Sequence, residues 1–285
     1  MKLALGTVQF GLDYGITGNG QVSPAEVRRI LAQARASGIH ALDTAIAYGT
    51  SEAVLGDAGV DGWSIITKLP PGLAGSENPD AWVARELEGA LARLRVEHVA
   101  GLLLHRPEQL LDANGPALAA AMRKVKASGR VGRIGISIYS PEELDRIWPV
   151  LRPDIVQCPY SLLDRRIETS GWLARLAGAG IEVHARSLFL QGLLLADAEA
   201  LPPYFAKWKP LFTRLGQWTA QQRTSQLAAC LRFVLGNPAI ACGVVGVETA
   251  SQLHEIVDAA EGELPPLPAD LATDDPDLLL PGRWA

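Results

Sequence analysis

Four side chains that exchange protons readily stand at or just beyond the ends of short apolar runs. Asp43 closes ALD, Lys68 closes SIITK, His105 closes AGLLLH, and Tyr48 follows Asp43 by five positions. A phenol with an ordinary pKa of about 10 is a poor acid at neutral pH. A neighbouring ammonium stabilises the phenolate and lowers that pKa, a carboxylate keeps the ammonium in place and charged, and an imidazole can hydrogen-bond a substrate oxygen. Singly, each residue reads as a strand-end cap, a solvated lysine or a hydrogen-bonded core histidine. In this order, the four read as a device for protonating an oxygen.

Such a device needs a scaffold that brings strand ends to one place. Runs rich in Val, Ile and Leu alternate with longer segments of helical period, the pattern of parallel strands joined by crossover helices. The strand candidates are Leu3 to Thr7, Ala41 to Asp43, Ser64 to Lys68, Val99 to His105, Arg133 to Ser137, Ile155 to Gln157, Ile181 to Ser187 and Cys242 to Gly246. Helix candidates lie near Asp80 to Leu94, Pro116 to Ser128, Ser225 to Leu235 and Ser251 to Ala260. Two more start at Ser23-Pro24-Ala25-Glu26 and Ser140-Pro141-Glu142-Glu143, each with a capping serine, a proline in the first turn and an acid after it.

Eight strand–helix units in this length predict an α/β fold of the (β/α)8 TIM-barrel type, a single domain over residues 1–285. An open doubly wound sheet is disfavoured, because no G-x-G-x-x-G follows a strand. The glycine clusters Gly15 to Gly20 and Gly129 to Gly135 read as turns. The longest irregular stretch, about Leu188 to Gln222, holds Tyr204, Phe205, Trp208 and Trp218 and reads as a lid or binding loop. In a barrel the chemistry sits at the C-terminal ends of the strands, where Asp43, Lys68 and His105 fall.

Composition narrows the partners. The chain has 26 basic and 31 acidic residues and a net charge of -5, so no basic field invites nucleic acid or an anionic membrane. Cys158, Cys230 and Cys242 are too few and too scattered for a disulfide framework, and no metal-ligand spacing occurs. No stretch approaches the roughly 20 apolar residues of a membrane span. The expectation is a cytoplasmic protein, a monomer or small homo-oligomer, acting on a small molecule.

At this point the sequence resembles the aldo-keto reductase superfamily. LDTAIAYGTSEAVLG, ITKLP and LLLHRPE match its Asp, Tyr, Lys and His tetrad in order and surroundings. GTVQFG, GRIGIS, DIVQCPYSLLDRR, RSLFLQGLLL and VVGVETASQL extend the likeness over nearly the whole chain. The resemblance implies an NAD(P)-dependent oxidoreductase that reduces an aldehyde or ketone, or runs the reverse on a small alcohol or sugar. Tyr48 is then the general acid, with Lys68, Asp43 and His105 as its partners.

The resemblance also implies a nicotinamide cofactor, NADPH or NADH, held without a Rossmann domain. Gly6, Thr7 and Asp43 line its site, Ser137 and Gln157 hold the carboxamide, and Ser187, Leu188, Gln191 and Gly192 follow the pyrophosphate. The adenosine end falls on Gly246, Val247, Glu248 and Gln252. Phe10, Tyr14, Arg106 and Trp208, together with Tyr48 and His105, are the expected walls for the carbonyl substrate.

Three positions depart from the family's pattern. Ile138 replaces the Asn that often follows the fifth-strand serine, and Arg186 stands where an aromatic usually stacks on the nicotinamide. No Lys or Arg lies between Phe233 and Ala260 to meet a 2'-phosphate, and Glu248 sits there instead, which leaves NADH open beside NADPH. Two other classes fit parts of the pattern. One is a cofactor-binding sensor or partner subunit with little turnover. The other is a Schiff-base lyase with Lys68 as nucleophile, opposed by Asp43, which would keep that lysine protonated.

Overall fold

The computed structural model describes residues 1–15, 20–73 and 77–284. Eight parallel strands close on themselves in chain order: β1 (Leu3–Gly6), β2 (Ala41–Asp43), β3 (Ser64–Leu69), β4 (Val99–Leu104), β5 (Val131–Ser137), β6 (Ile155–Pro159), β7 (Glu182–Arg186) and β8 (Cys242–Gly246). β8 pairs back on β1, with Gly6 opposite Gly246, so no edge is left open. Helices cover the outside, among them Pro24–Ala36, Pro79–Leu94, Gly115–Ala127, Gln226–Leu235 and Ala250–Ala260. The architecture is the (β/α)8 barrel.

The lumen below the mouth is filled. Ile66 of β3, Leu103 of β4 and Ile155 of β6 form a buried cluster of their own. Gly101 and Gly135 leave the room it needs: a Cβ on Gly101 would lie 2.6 Å from Ile66 Cδ1, and one on Gly135 would lie 3.0 Å from Ile155 Cβ. The glycines of GLLL and GRIGIS are thus packing residues of strands. Of the expected Gly129 to Gly135 turn, only Gly129, at φ +80°, turns the chain. In the other cluster Gly15 and Gly20 have positive φ, and residues 16–19 lie outside the described residues.

The Ser23 cap forms as expected, its Oγ accepting from the Glu26 amide at 3.3 Å. Ser140 does not repeat it. Instead the Glu143 carboxylate reaches back and accepts from the Tyr139 and Ser140 amides, each at 2.7 Å. Reaching both amides takes the longer side chain, because Ser140 belongs to the turn that leaves β5.

The stretch from Leu188 to Gln222 is neither irregular nor a lid. Short 3-10 turns lead into a helix over Lys209–Gln221, and Phe205, Trp208, Phe212 and Trp218 pack with Leu162, Leu190 and Leu278 in a second core. The C-terminal tail clamps it: Trp208 Nε1 donates to Asp275 and Trp218 Nε1 to the Pro266 carbonyl. Among the described residues no helix is long and apolar enough to cross a membrane.

Candidate active site

The β2–β4 arc builds one side of the mouth. Lys68 is fully buried, and its Nζ donates to Asp43 Oδ1 at 2.5 Å and to the Thr44 carbonyl at 2.9 Å. The second carboxylate oxygen of Asp43 accepts from Gln157 Nε2 at 2.6 Å, a bond that crosses the barrel from β2 to β6. A buried ammonium is tolerable only with such pairing. Burial opposes its charge, but the Asp43 carboxylate and then Tyr48 outweigh it and raise the Lys68 pKa above its ordinary value.

Tyr48 reaches this pair from the turn after β2. The Lys68 Nζ lies 5.1 Å from the centre of its ring, and the His105 ring meets it edge-on at 5.6 Å between centroids. The turn is held from beneath. A Cβ on Gly11 would drive into the Tyr48 carbonyl and the Ser51 amide, and Gly49, at φ +56°, abuts the Gly11 carbonyl. Ser51 Oγ donates toward Thr7, 2.8 Å from its carbonyl, and the helix that follows (Ser51–Ala58) is pinned by Glu52, which accepts from Thr67 and Arg93.

The electrostatics correct one expectation. Burial is the largest influence on Tyr48 and raises its pKa, with the Lys68 charge pulling it down against that effect. The net direction is upward, so the ammonium limits the cost of forming the phenolate and does not make a strong acid of the free protein. His105 moves the other way: burial, then Lys68 and Arg186, lower it from 6.5 to about 4, so its imidazole is neutral at ordinary pH.

A cavity of about 690 Å³ opens over these groups. Asp43, Tyr48 and His105 line one wall, with Lys68 sealed behind them. Gly6 and Thr7 line it at the end of β1, and Ser137 and Gln157 at β5 and β6. Arg186, Ser187 and Leu188 lead into Gln191 and Gly192 on the β7 side, while Gly246, Val247, Glu248 and Gln252 close the β8 side. Tyr14 stands at the rim with Leu12 and Leu195, and its hydroxyl accepts from Gln191 Nε2 at 3.1 Å.

Three expected substrate walls are elsewhere. Phe10 is fully buried in the main core, because the turn after β1 points it inward and turns Gln9 to the cavity. Trp208 is 8% exposed and spent on the second core. Arg106 lies outside the cavity lining, its guanidinium 5.5 Å from the Tyr139 ring.

Several residues that matter here were not singled out in the sequence. Gln9 lines the cavity with its amide oxygen buried and without a hydrogen-bond partner. It packs on Gly246, where a Cβ would lie 2.6 Å from Gln9 Nε2. An orphaned amide beside a glycine cradle fits a polar ligand such as a dinucleotide at the β1–β8 junction. Backbone strain gathers on the same side. Among the described residues five non-glycines have positive φ, and Ser187, Leu190 and Gln191 are three of them. Gly11 and Gly49, which seat Tyr48, could have been found only as the glycines closing QFG and AYG.

A closed parallel barrel with a carboxylate, an ammonium, a phenol and an imidazole converging at its C-terminal mouth defines a barrel oxidoreductase. The chain belongs to the aldo/keto reductase family, whose model matches residues 2–269. It is 28% identical over 280 residues to a 6-dehydroglucose reductase of Agrobacterium fabrum, covering 90% of each chain. It is 29% identical over 228 residues to an L-glyceraldehyde 3-phosphate reductase of Escherichia coli, covering 71% of this chain and 63% of the relative. Among solved structures, the holo form of an aldo-keto reductase from Bacillus halodurans superposes with a TM-score of 0.72 at 21% identity, over 95% of this chain and 89% of that one. The protein is an oxidoreductase of this family.

Proposed function

We propose that this chain binds a nicotinamide dinucleotide in the 690 Å³ cavity and reduces the carbonyl group of a small aldehyde or ketone, or runs the reverse on an alcohol or sugar. The observation that carries this reading is the contact of Tyr48 with both the Asp43-paired Lys68 and His105 at the cavity wall. When bound, the reduced nicotinamide supplies the hydride that adds to the carbonyl carbon. Tyr48 gives its hydroxyl proton to the carbonyl oxygen, so a C=O becomes a CH–OH. Lys68 steadies the phenolate left behind, and Asp43 keeps Lys68 charged. His105, neutral above about pH 4, polarises the oxygen without adding a charge.

Gly6, Thr7, Ser137 and Gln157 would hold the nicotinamide end, with Gln9 as a further polar contact. Gln157 is already bonded to Asp43 at 2.6 Å and lies 3.4 Å from Ser137 Oγ, so it joins ligand and tetrad even though Ile138 is apolar. Ser187, Leu188, Gln191 and Gly192 would follow the pyrophosphate. Where the resemblance puts the adenosine, along Gly246 to Gln252, Glu248 lines the cavity, and Glu255 of the helix Ala250–Ala260 lines it beside that stretch, with no Lys or Arg there among the described residues. These acids repel a 2'-phosphate, so NADH is expected to bind more tightly than NADPH.

Both nucleotides are to be titrated by fluorescence quenching, then offered with a carbonyl panel led by sugar-derived aldehydes, the class named for the relatives. Tyr48→Phe is expected to lower kcat about a thousandfold while nucleotide binding persists. Absence of quenching by either nucleotide, or full turnover by Tyr48→Phe, would overturn the reading.

A further inference from the structure

Two cations at the mouth, Lys68 and Arg186, are held differently. The Lys68 ammonium is matched by Asp43. Arg186, half-buried at the end of β7, donates to the Ile138 carbonyl at 2.8 Å and to Ser187 Oγ at 3.3 Å, and it rests on the face of the Tyr139 ring at 4.3 Å. Among the described residues no carboxylate comes within ion-pair distance of it. Glu143, in the helix that follows β5 (Glu142–Ile147), is near enough for its charge and that of Arg186 to act on each other, but it makes no ion pair with Arg186: one of its oxygens accepts from the Tyr139 and Ser140 amides and the other is buried without a hydrogen bond. A guanidinium is always charged and offers five N–H donors in a fixed fork. The N–H groups of Arg186 not already engaged have no protein acceptor among the described residues.

This cation faces the reacting groups. Beneath the larger effect of burial, its charge bears on Tyr14, Tyr48 and His105, all three of which line the same cavity. Arg106, on the Tyr139 ring at 5.5 Å, adds a second positive charge at this edge. A partly desolvated guanidinium with no carboxylate in direct contact is costly, and a bidentate oxyanion removes that cost.

We propose that Arg186 recognises an anionic group, a carboxylate or a phosphate, carried by the carbonyl substrate itself. The proposal rests on the carbonyl-reducing reading above and narrows it to acidic carbonyl compounds. The anion would be held beside the tetrad, so Arg186 fixes which carbonyl reaches Tyr48.

The test compares matched pairs: succinic semialdehyde against its neutral amide for a carboxylate, and glycolaldehyde phosphate against glycolaldehyde for a phosphate. The wild type is expected to favour the anionic member of at least one pair by about 50-fold in kcat/KM, and the pair favoured identifies the anion. In Arg186→Met that ratio should fall to near unity, and Arg186→Lys should restore part of it. Equal use of both members in both pairs by the wild type overturns the proposal. So does an Arg186→Met effect confined to the nucleotide Kd, which would give the guanidinium to the cofactor's phosphates.

If no carbonyl at all is reduced, the carbonyl-reducing reading fails separately. Titration calorimetry with succinate and with inorganic phosphate then still reads the site. Binding that Arg186→Met abolishes upholds an anion site, and no binding by the wild type refutes it.

Discussion

The two sides of the barrel mouth are built on opposite principles. On the β2–β4 side a fully buried ammonium, its carboxylate and a clamped tyrosine are tied by hydrogen bonds into the barrel wall. On the β7–β8 side the lining is half-exposed, three residues hold left-handed backbone, the Gln9 amide oxygen has no hydrogen-bond partner, and Arg186 is bonded to the Ile138 carbonyl and Ser187 but to no carboxylate among the described residues. On the first side the buried Lys68–Asp43 pair is satisfied before any ligand arrives, as preorganised proton chemistry requires. The second leaves groups to be satisfied by what binds, as a ligand site requires. The difference teaches where rigidity is invested: around the proton, and much less around the ligand.

If that contrast is right, changes on the first side cost fold and rate together, whereas changes on the second cost ligand affinity. The largest effect on stability is expected from Asp43→Asn, which leaves Lys68 buried without its counter-charge. A loss of about 3 kcal/mol in denaturant titration is predicted, with activity lost as well. A variant of near wild-type stability would break the contrast.

Gly11→Ala should come next, at roughly 2 kcal/mol. Its new methyl group meets the Tyr48–Ser51 turn, and kcat is expected to fall more than nucleotide affinity. The smallest effects sharpen the other side. Gln191 and Arg223 both carry left-handed φ, at 55° and 52°, but only Gln191 lines the cavity. Replacing either with Gly should release strain and raise stability by about 0.5 kcal/mol, the net of strain relief and chain entropy. Only Gln191→Gly should weaken nucleotide binding, which thermal shift with and without NADH would show.

The same two sides differ in how far they could be read from the residues alone. Asp43, Lys68 and His105 were legible because a polar residue closing an apolar strand has few other reasons to be there. The direction of the Tyr48 pKa was not, because it depends on how deeply the turn after β2 is covered, and that depth comes from Gly11 and Gly49. Around the second core, the aromatics between Tyr204 and Trp218 looked like a binding loop because their partners come from elsewhere in the chain. Leu278 and Asp275 lie some 60 to 70 residues further on in the chain than Trp208 and Trp218, and no local pattern links them. Phe10 and Gln9 are neighbours on one turn, so a one-position error in facing exchanged a core residue for a cavity residue.

The central claim is that the Tyr48 phenol supplies the proton and feels Lys68 as it does so. The pH dependence of kcat/KM for carbonyl reduction tests it, compared between the wild type and a folded Lys68→Met variant. Reduction needs the protonated phenol, so the rate is lost as pH rises through its pKa, which burial raises from the ordinary phenol value. Removing the ammonium takes away the influence that lowers it. The alkaline limb should therefore move to higher pH while the plateau falls about a hundredfold. A limb that stays in place, with a plateau within a few-fold of the wild type, would contradict the account.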